Sequence, residues 1–271
     1  MAQNQFLQKF LAIVILVLIP LFVIKEYKHI TLSKHLLMHA DGKLVNNEYT
    51  AGEDKSFVIF VFASEQEEYC DKTLESIFSQ SYPSFRVVYL DEGESSRNYT
   101  KAEKFIFANG YEKKITMLKS SKPNELFEKF YQALHEAKDS EVIIHLAGSD
   151  WFASDQILHL LNDTYKDPDV WLSYGEYMEY PSLKKQALAP TVNSILRDFR
   201  PEKTPWMRSH VKTYYAGLLK QMTPTSDGLR NQALSKEDRF LMLSLLKVGK
   251  WHVKFIPEVL AIYDSQTQKN I

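Results

Sequence analysis

Apolar and polar positions divide the chain into three stretches. Residues 11–24 read LAIVILVLIPLFVI without a charge, and extending back to Phe6 adds only Gln8 and Lys9 as polar residues. As a helix, residues 6–24 span roughly 28 Å, close to a bilayer core, and the uncharged part alone about 21 Å. Lys9 can snorkel toward headgroups, and Pro20 is tolerated near the end of a membrane helix. A cleaved signal peptide needs small residues at its cleavage site, and Phe22-Val23-Ile24-Lys25-Glu26-Tyr27 offers none. A buried core helix would show a polar face, and this run lacks one. The reading is an uncleaved single-pass anchor over residues 1–25, with a helix docked on the domain itself as the alternative. Lys25, Lys28 and Lys34 outnumber Lys9, so the positive-inside rule leans toward a cytoplasmic C-terminal part. Residues 26–54 are mixed and polar and read as a tether.

From Ser56 onward the pattern switches between strand and helix. Ser56-Phe57-Val58-Ile59-Phe60-Val61-Phe62-Ala63 is a continuous apolar run, as in a strand covered on both faces. Glu67 to Gln80 carries Tyr69, Thr73, Leu74, Ile77 and Phe78 at helical spacing. Phe85 to Leu90 predicts a second strand, Tyr99 to Ala108 a helix stopped by Asn109-Gly110, and Ile115 to Leu118 a third strand. A helix over Glu125 to Ala137, a strand over Glu141 to Leu146, a helix N-capped by Ser154 and a strand over Val170 to Tyr174 follow. This order predicts an α/β fold with a mostly parallel sheet flanked by helices.

Ligands of such sheets bind beyond the carboxyl ends of the strands. The segments there are Ser64-Glu65, Asp91-Glu92-Gly93 and Ala147-Gly148-Ser149-Asp150. Composition narrows the chemistry. Net charge is −1, which argues against nucleic acid as a general partner. Cys70 is the one cysteine, so an intrachain disulfide and a Cys-based zinc site are excluded. Neither GxxxxGK[ST] nor GxGxxG occurs, and there is no HExxH or nucleophile elbow. Asn98-Tyr99-Thr100 and Asn162-Asp163-Thr164 match the glycosylation pattern, which often arises by chance. Asp167-Pro168-Asp169 lies at the amino end of a strand and reads as a turn. His145, inside an apolar strand, reads as a core residue.

Several blocks in order resemble one family. Tyr69, Thr73-Leu74-Glu75-Ser76-Ile77, Gln80-Ser81-Tyr82-Pro83 and the strand ending in Asp91-Glu92-Gly93-Glu94-Ser95 form the first. Ile143 to Phe152 forms the second, Trp206 to Tyr214 the third, and Glu237-Asp238, Gly249 and Phe255 to Tyr263 the fourth. Together they are similar to family-2-type glycosyltransferases with the GT-A fold, over most of residues 55–265, with 266–271 as a tail. The third block looks like a helix after the acceptor-side loop.

The resemblance implies a membrane-anchored glycosyltransferase moving a sugar from a nucleoside diphosphate to an acceptor, with inversion. By that likeness Asp238 is the catalytic base, and Asp91, Glu92 and Ser64 contact the nucleotide. Asp150 and Ser149 stand at the metal position. Arg208, His210, Lys212, Glu237 and Trp151 face the acceptor or the diphosphate, although Trp151 also reads as packing. The family's metal motif, often Asp-Gly-Asp-Asp, is here Ala147-Gly148-Ser149-Asp150. Mg²⁺ or Mn²⁺ would then be weakly bound, or absent with a cation from Arg208, His210 or Lys212 in its place. The alternative is a catalytically degenerate relative that binds nucleotide sugars or acts as a scaffold.

Overall fold

A computed structural model describes residues 53–63, 70–93, 97–120, 123–186, 210–221, 238–249 and 251–265. All belong to a compact unit, Glu48–Ile271. The anchor and most of the tether lie outside the described residues. No helix among those described is long and apolar enough to cross a membrane.

The strands are β1 (Phe57–Ala63), β2 (Phe85–Asp91), β3 (Ile115–Lys119), β4 (Val142–Ala147), β5 (Trp151–Phe152), β6 (Leu172–Tyr180), β7 (Lys184–Gln186), β8 (Lys212–Tyr215) and β9 (Val253–Asp264). The helices are α1 (Cys70–Phe78), α2 (Arg97–Asn109), α3 (Pro123–Glu136), α4 (Ile157–Tyr165), α5 (Ala216–Lys220) and α6 (Asp238–Gly249). One sheet runs β3-β2-β1-β4-β8-β6-β9-β5, with β7 on β6. β3, β2, β1 and β4 are mutually parallel. β8 runs antiparallel to both β4 and β6.

The apolar run is a central strand, and every residue of β1 is buried. α1, α2 and α3 arise where apolar residues recur at helical spacing. Gly110 takes φ +71° just after α2, the left-handed stop that glycine supplies without strain. His145 on β4 is 5% exposed and stacks on Phe62, ring centres 4.8 Å apart. Its Nε2 lies 2.5 Å from the Tyr214 hydroxyl. Burial, then the nearby Lys212 charge, push its pKa down to about 3.

Two expectations are corrected. The stretch beginning at Trp206 is not a helix where it is described: Lys212–Tyr215 is β8. Lys212, Thr213, Tyr214 and Tyr215 are all buried, and such β-branched and aromatic residues suit a strand held between two others. The sheet is accordingly mixed. Ser154 does not cap α4, which begins at Ile157. Its hydroxyl accepts the Gln156 N–H at 3.3 Å, and Gln80 Oε1 takes the Leu158 N–H at 3.1 Å instead. An orphan donor at the helix start is thus satisfied by a side chain distant in sequence.

The β6–β9 pairing shifts register around Glu176, between Ile256 and Val259. Pro257 falls in the shift, where its missing N–H costs no ladder bond. A Cβ at Gly175 would come within 2.5 Å of Leu260 Cδ1, so the close approach requires glycine. Neither sequon is available to a glycan in the folded chain. Asn98 and Asn162 are each 4% exposed. The Asn162 carbonyl accepts Lys55 N–H and the Tyr82 hydroxyl, and its amide donates to Asp54.

Candidate active site

The parallel pairing aligns the strand ends. Asp91 stands opposite Ala63, and Ala147 opposite Phe62. Asp91 and the turn after Ala147 therefore flank β1 at one edge of the sheet. Asp91 is 1% exposed, and its Oδ1 accepts the Gly93 N–H at 2.8 Å. Glu92 N–H bonds Ala63 O at 3.0 Å, tying the two strand ends together.

The loop after β4 is held from α1. Thr73 Oγ1 donates to Gly148 O at 2.7 Å, Ser76 Oγ accepts Phe152 N–H at 3.1 Å, and Gln80 Nε2 donates to Ser154 O at 2.6 Å. Thr73 and Ser76, three residues apart, share one face of α1, and Gln80 follows two residues after its end. Gly148 N–H reaches back to Phe62 O at 2.8 Å, and Asp150 N–H to Ala147 O at 3.0 Å. Asp150 is therefore fixed by its backbone, and it is 1% exposed.

His210, just before β8, donates from Nδ1 to Asp150 Oδ2 at 2.8 Å. Its ring lies against Tyr177 and Tyr263, with centres 4.2 Å away in both cases. Among the described residues Asp150 Oδ1 and His210 Nε2 are buried without a hydrogen-bond partner. Lys212 is 1% exposed, and burial pushes its pKa down to about 7 against the opposing pull of Asp150. An arriving anion favours the protonated form of a lysine in this state.

The structure thus brings Asp150, His210 and Lys212 together, with Asp91 at the same sheet edge. Ser149 is half-buried beside Asp150. Trp151 belongs to β5, paired with β9, and lies edge-on to Tyr180 at 5.5 Å with Lys72 Nζ over both rings. Asp238 opens α6, but its side chain lies outside the described residues, as do Ser64, Arg208 and Glu237. Asp167-Pro168-Asp169 is a turn, Asp169 N–H bonding Asp167 Oδ1 at 3.0 Å. Sequence reasoning passed over Tyr177 and the clamp made by Thr73, Ser76 and Gln80. The polar residues on one face of α1 and just past its end were the available signal for the clamp.

Among the described residues, Asp150 and its neighbours do not make up an ordinary divalent site. Mg²⁺ and Ca²⁺ need several oxygen donors, and Mn²⁺ suits carboxylate, carbonyl and water. Among the described residues no three His, Cys, Asp or Glu side chains gather for a metal. One Asp150 oxygen is already held by His210, and a buried lysine stands in the field of the carboxylate. Ser149 adds one neutral oxygen, and Ala147 and Gly148 add no side-chain donor.

No family model matches the chain, and no curated protein matches it. Solved structures match its fold. S. aureus TarS aligns at TM-score 0.55 and 15% identity over 77% of this chain and 36% of its own. Residues 1–349 of S. aureus TarS in complex with UDP-GlcNAc align at 0.53 and 15%, over 78% and 58%. The Pyrobaculum calidifontis mannosyltransferase PcManGT, in complex with GDP-Man and Mn²⁺, aligns at 0.55 and 15%, over 78% and 57%. The chain spans between 36% and 58% of these structures. What it shares with these glycosyltransferases is the fold, a GT-A-like mixed sheet.

Proposed function

We propose that this chain is a membrane-anchored glycosyltransferase that takes a sugar from a nucleoside diphosphate donor. The observation that carries the reading is the placing of Asp91 and Asp150, both buried, on either side of β1 at the carboxyl edge of the sheet. Ligands of α/β sheets bind at that edge. The neighbours of like fold, two of them in complex with UDP-GlcNAc and GDP-Man, point the same way.

In this reading Asp91, with Glu92 and Ser64, orients the nucleoside. Asp150 accepts a hydroxyl of the donor at its remaining oxygen. Arg208, His210 and Lys212 offset the charge that builds on the departing diphosphate. The acceptor oxygen attacks the anomeric carbon as the bond to the diphosphate oxygen breaks. The diphosphate leaves with the electron pair, and the acceptor proton passes to the Asp238 carboxylate. A single displacement inverts the anomeric centre. Residues 6–24 hold the enzyme at a membrane, with the catalytic part on the cytoplasmic side.

A scaffold reading is favoured by one observation, the loss of carboxylates in Ala147-Gly148-Ser149-Asp150. Incubation of the full chain with radiolabelled nucleotide sugars separates the two. Transfer or slow donor hydrolysis, reduced about 100-fold or more in Asp238→Asn, is the expected result, in keeping with loss of a general base. A turnover rate unchanged in that variant contradicts the assignment of the base, and binding without any turnover supports the scaffold.

A further inference from the structure

We infer that the site needs no divalent cation: Asp150 holds His210 by a hydrogen bond, and His210 and Lys212 stand where a metal would offset the diphosphate. The inference rests on the glycosyl-donor reading above and deepens it.

Three observations carry it. The first is the direction in which the Asp150 carboxylate is spent. Its Oδ2 accepts from His210 Nδ1 at 2.8 Å, so one of its two oxygens is committed to a protein donor and only Oδ1 is left to ligate a cation. The second is the burial of charge. Lys212 is 1% exposed on β8, two residues after His210, and lies in the field of Asp150. A metal ion brought to Asp150 would meet that lysine as a like charge, whereas a diphosphate would meet it as a counter-ion. The third is the supporting frame. Tyr177 and Tyr263 pack on the His210 ring, and the loop bearing Asp150 is bonded to α1 through Thr73 and Ser76 and to the turn after α1 through Gln80. The pair is held in place rather than assembled around an ion.

Chemistry and position agree. A hard cation at a phosphate site is bound by one or two carboxylates, and the motif here retains one, already engaged. β8 lies between β4 and β6, and the segment entering it brings His210 to the carboxylate that follows β4. His210 Nε2, buried and without a hydrogen-bond partner among the described residues, is the atom left to meet a phosphate oxygen. Lys212 supplies charge from within the sheet.

The test uses the full chain in detergent with UDP and GDP as probes. Calorimetry is run in EDTA and again in Mn²⁺, and Mn²⁺ alone is titrated by electron paramagnetic resonance. One probe should bind in EDTA, with affinity changed by less than about two-fold in Mn²⁺. His210→Ala and Lys212→Met should each weaken binding about ten-fold or more, the loss expected for a charge-assisted bond. His210→Gln keeps the ring's approximate volume, and circular dichroism of each variant checks that it folds. No saturable Mn²⁺ site should appear below millimolar concentration. Binding that requires Mn²⁺, or a tight Mn²⁺ site lost in Asp150→Asn, overturns the inference and spares the glycosyl-donor reading. Failure of both probes in both buffers removes the donor reading and this inference with it.

Discussion

At the scale of the residue, His145 shows how burial sets chemistry. Its ring is enclosed by Phe60, Phe62, Phe130 and Tyr214 and is held neutral, with a pKa of about 3. An unfolded histidine titrates near 6.5. Between those two values the unfolded chain binds a proton that the folded chain does not, so stability falls as pH falls. The slope from this one residue is about 1.4 kcal/mol per pH unit. Its contribution is whole above about pH 6.5 and is lost on acidification toward 3. Urea melts of His145→Gln at pH 7, 6 and 5 should therefore show a shallower acid loss than the parent chain. Parallel pH profiles would refute the assignment. His145 was legible as a core residue from the apolar strand around it. The Asp150–His210 bond was not, because 60 residues separate the partners and no local pattern links them.

At the scale of the element, α1 does more than cover the sheet. Leu74 and Ile77 face the core, while Thr73 and Ser76, with Gln80 just past the helix end, reach the loop that carries Asp150. Loss of one such bond, where a buried polar group is left behind, costs about 1–3 kcal/mol. Gln80→Leu removes the bonds to Ser154 and Leu158 together. We expect it to speed amide exchange over residues 148–158 and to leave exchange in β1 and β2 unchanged. Uniform acceleration through the sheet would show global destabilisation rather than a local clamp. Periodicity revealed α1, α3, β1 and β4 because each buries one clear pattern. β8 escaped because four residues are too few to display a period, and its place in the sheet comes from partners far along the chain.

At the scale of the whole molecule, sheet order determines what meets at the edge. β2, β1 and β4 end together, so Asp91 and the Asp150 loop share one side of the molecule. An antiparallel β8 beside β4 brings His210 to the Asp150 carboxylate and sets Lys212 opposite His145. A change of register by one residue in any of these pairs would turn the side chains to the opposite face and dismantle the group. The carboxyl ends of the strands were legible as the place to look. Their convergence with β8 depended on non-local pairing.

The most direct measurement is a thermal-shift screen of nucleoside diphosphate sugars against the full chain, with Asp91→Ala and Asp150→Asn in parallel. A ligand held only by the folded state raises its melting temperature, through about 2.7 kcal/mol at a hundred-fold excess over Kd. At least one donor should raise the melting temperature of the parent chain by a few degrees, and both variants should lose that shift while still melting cooperatively. A parent chain that no nucleotide sugar stabilises, or a shift that survives both substitutions, would contradict the account.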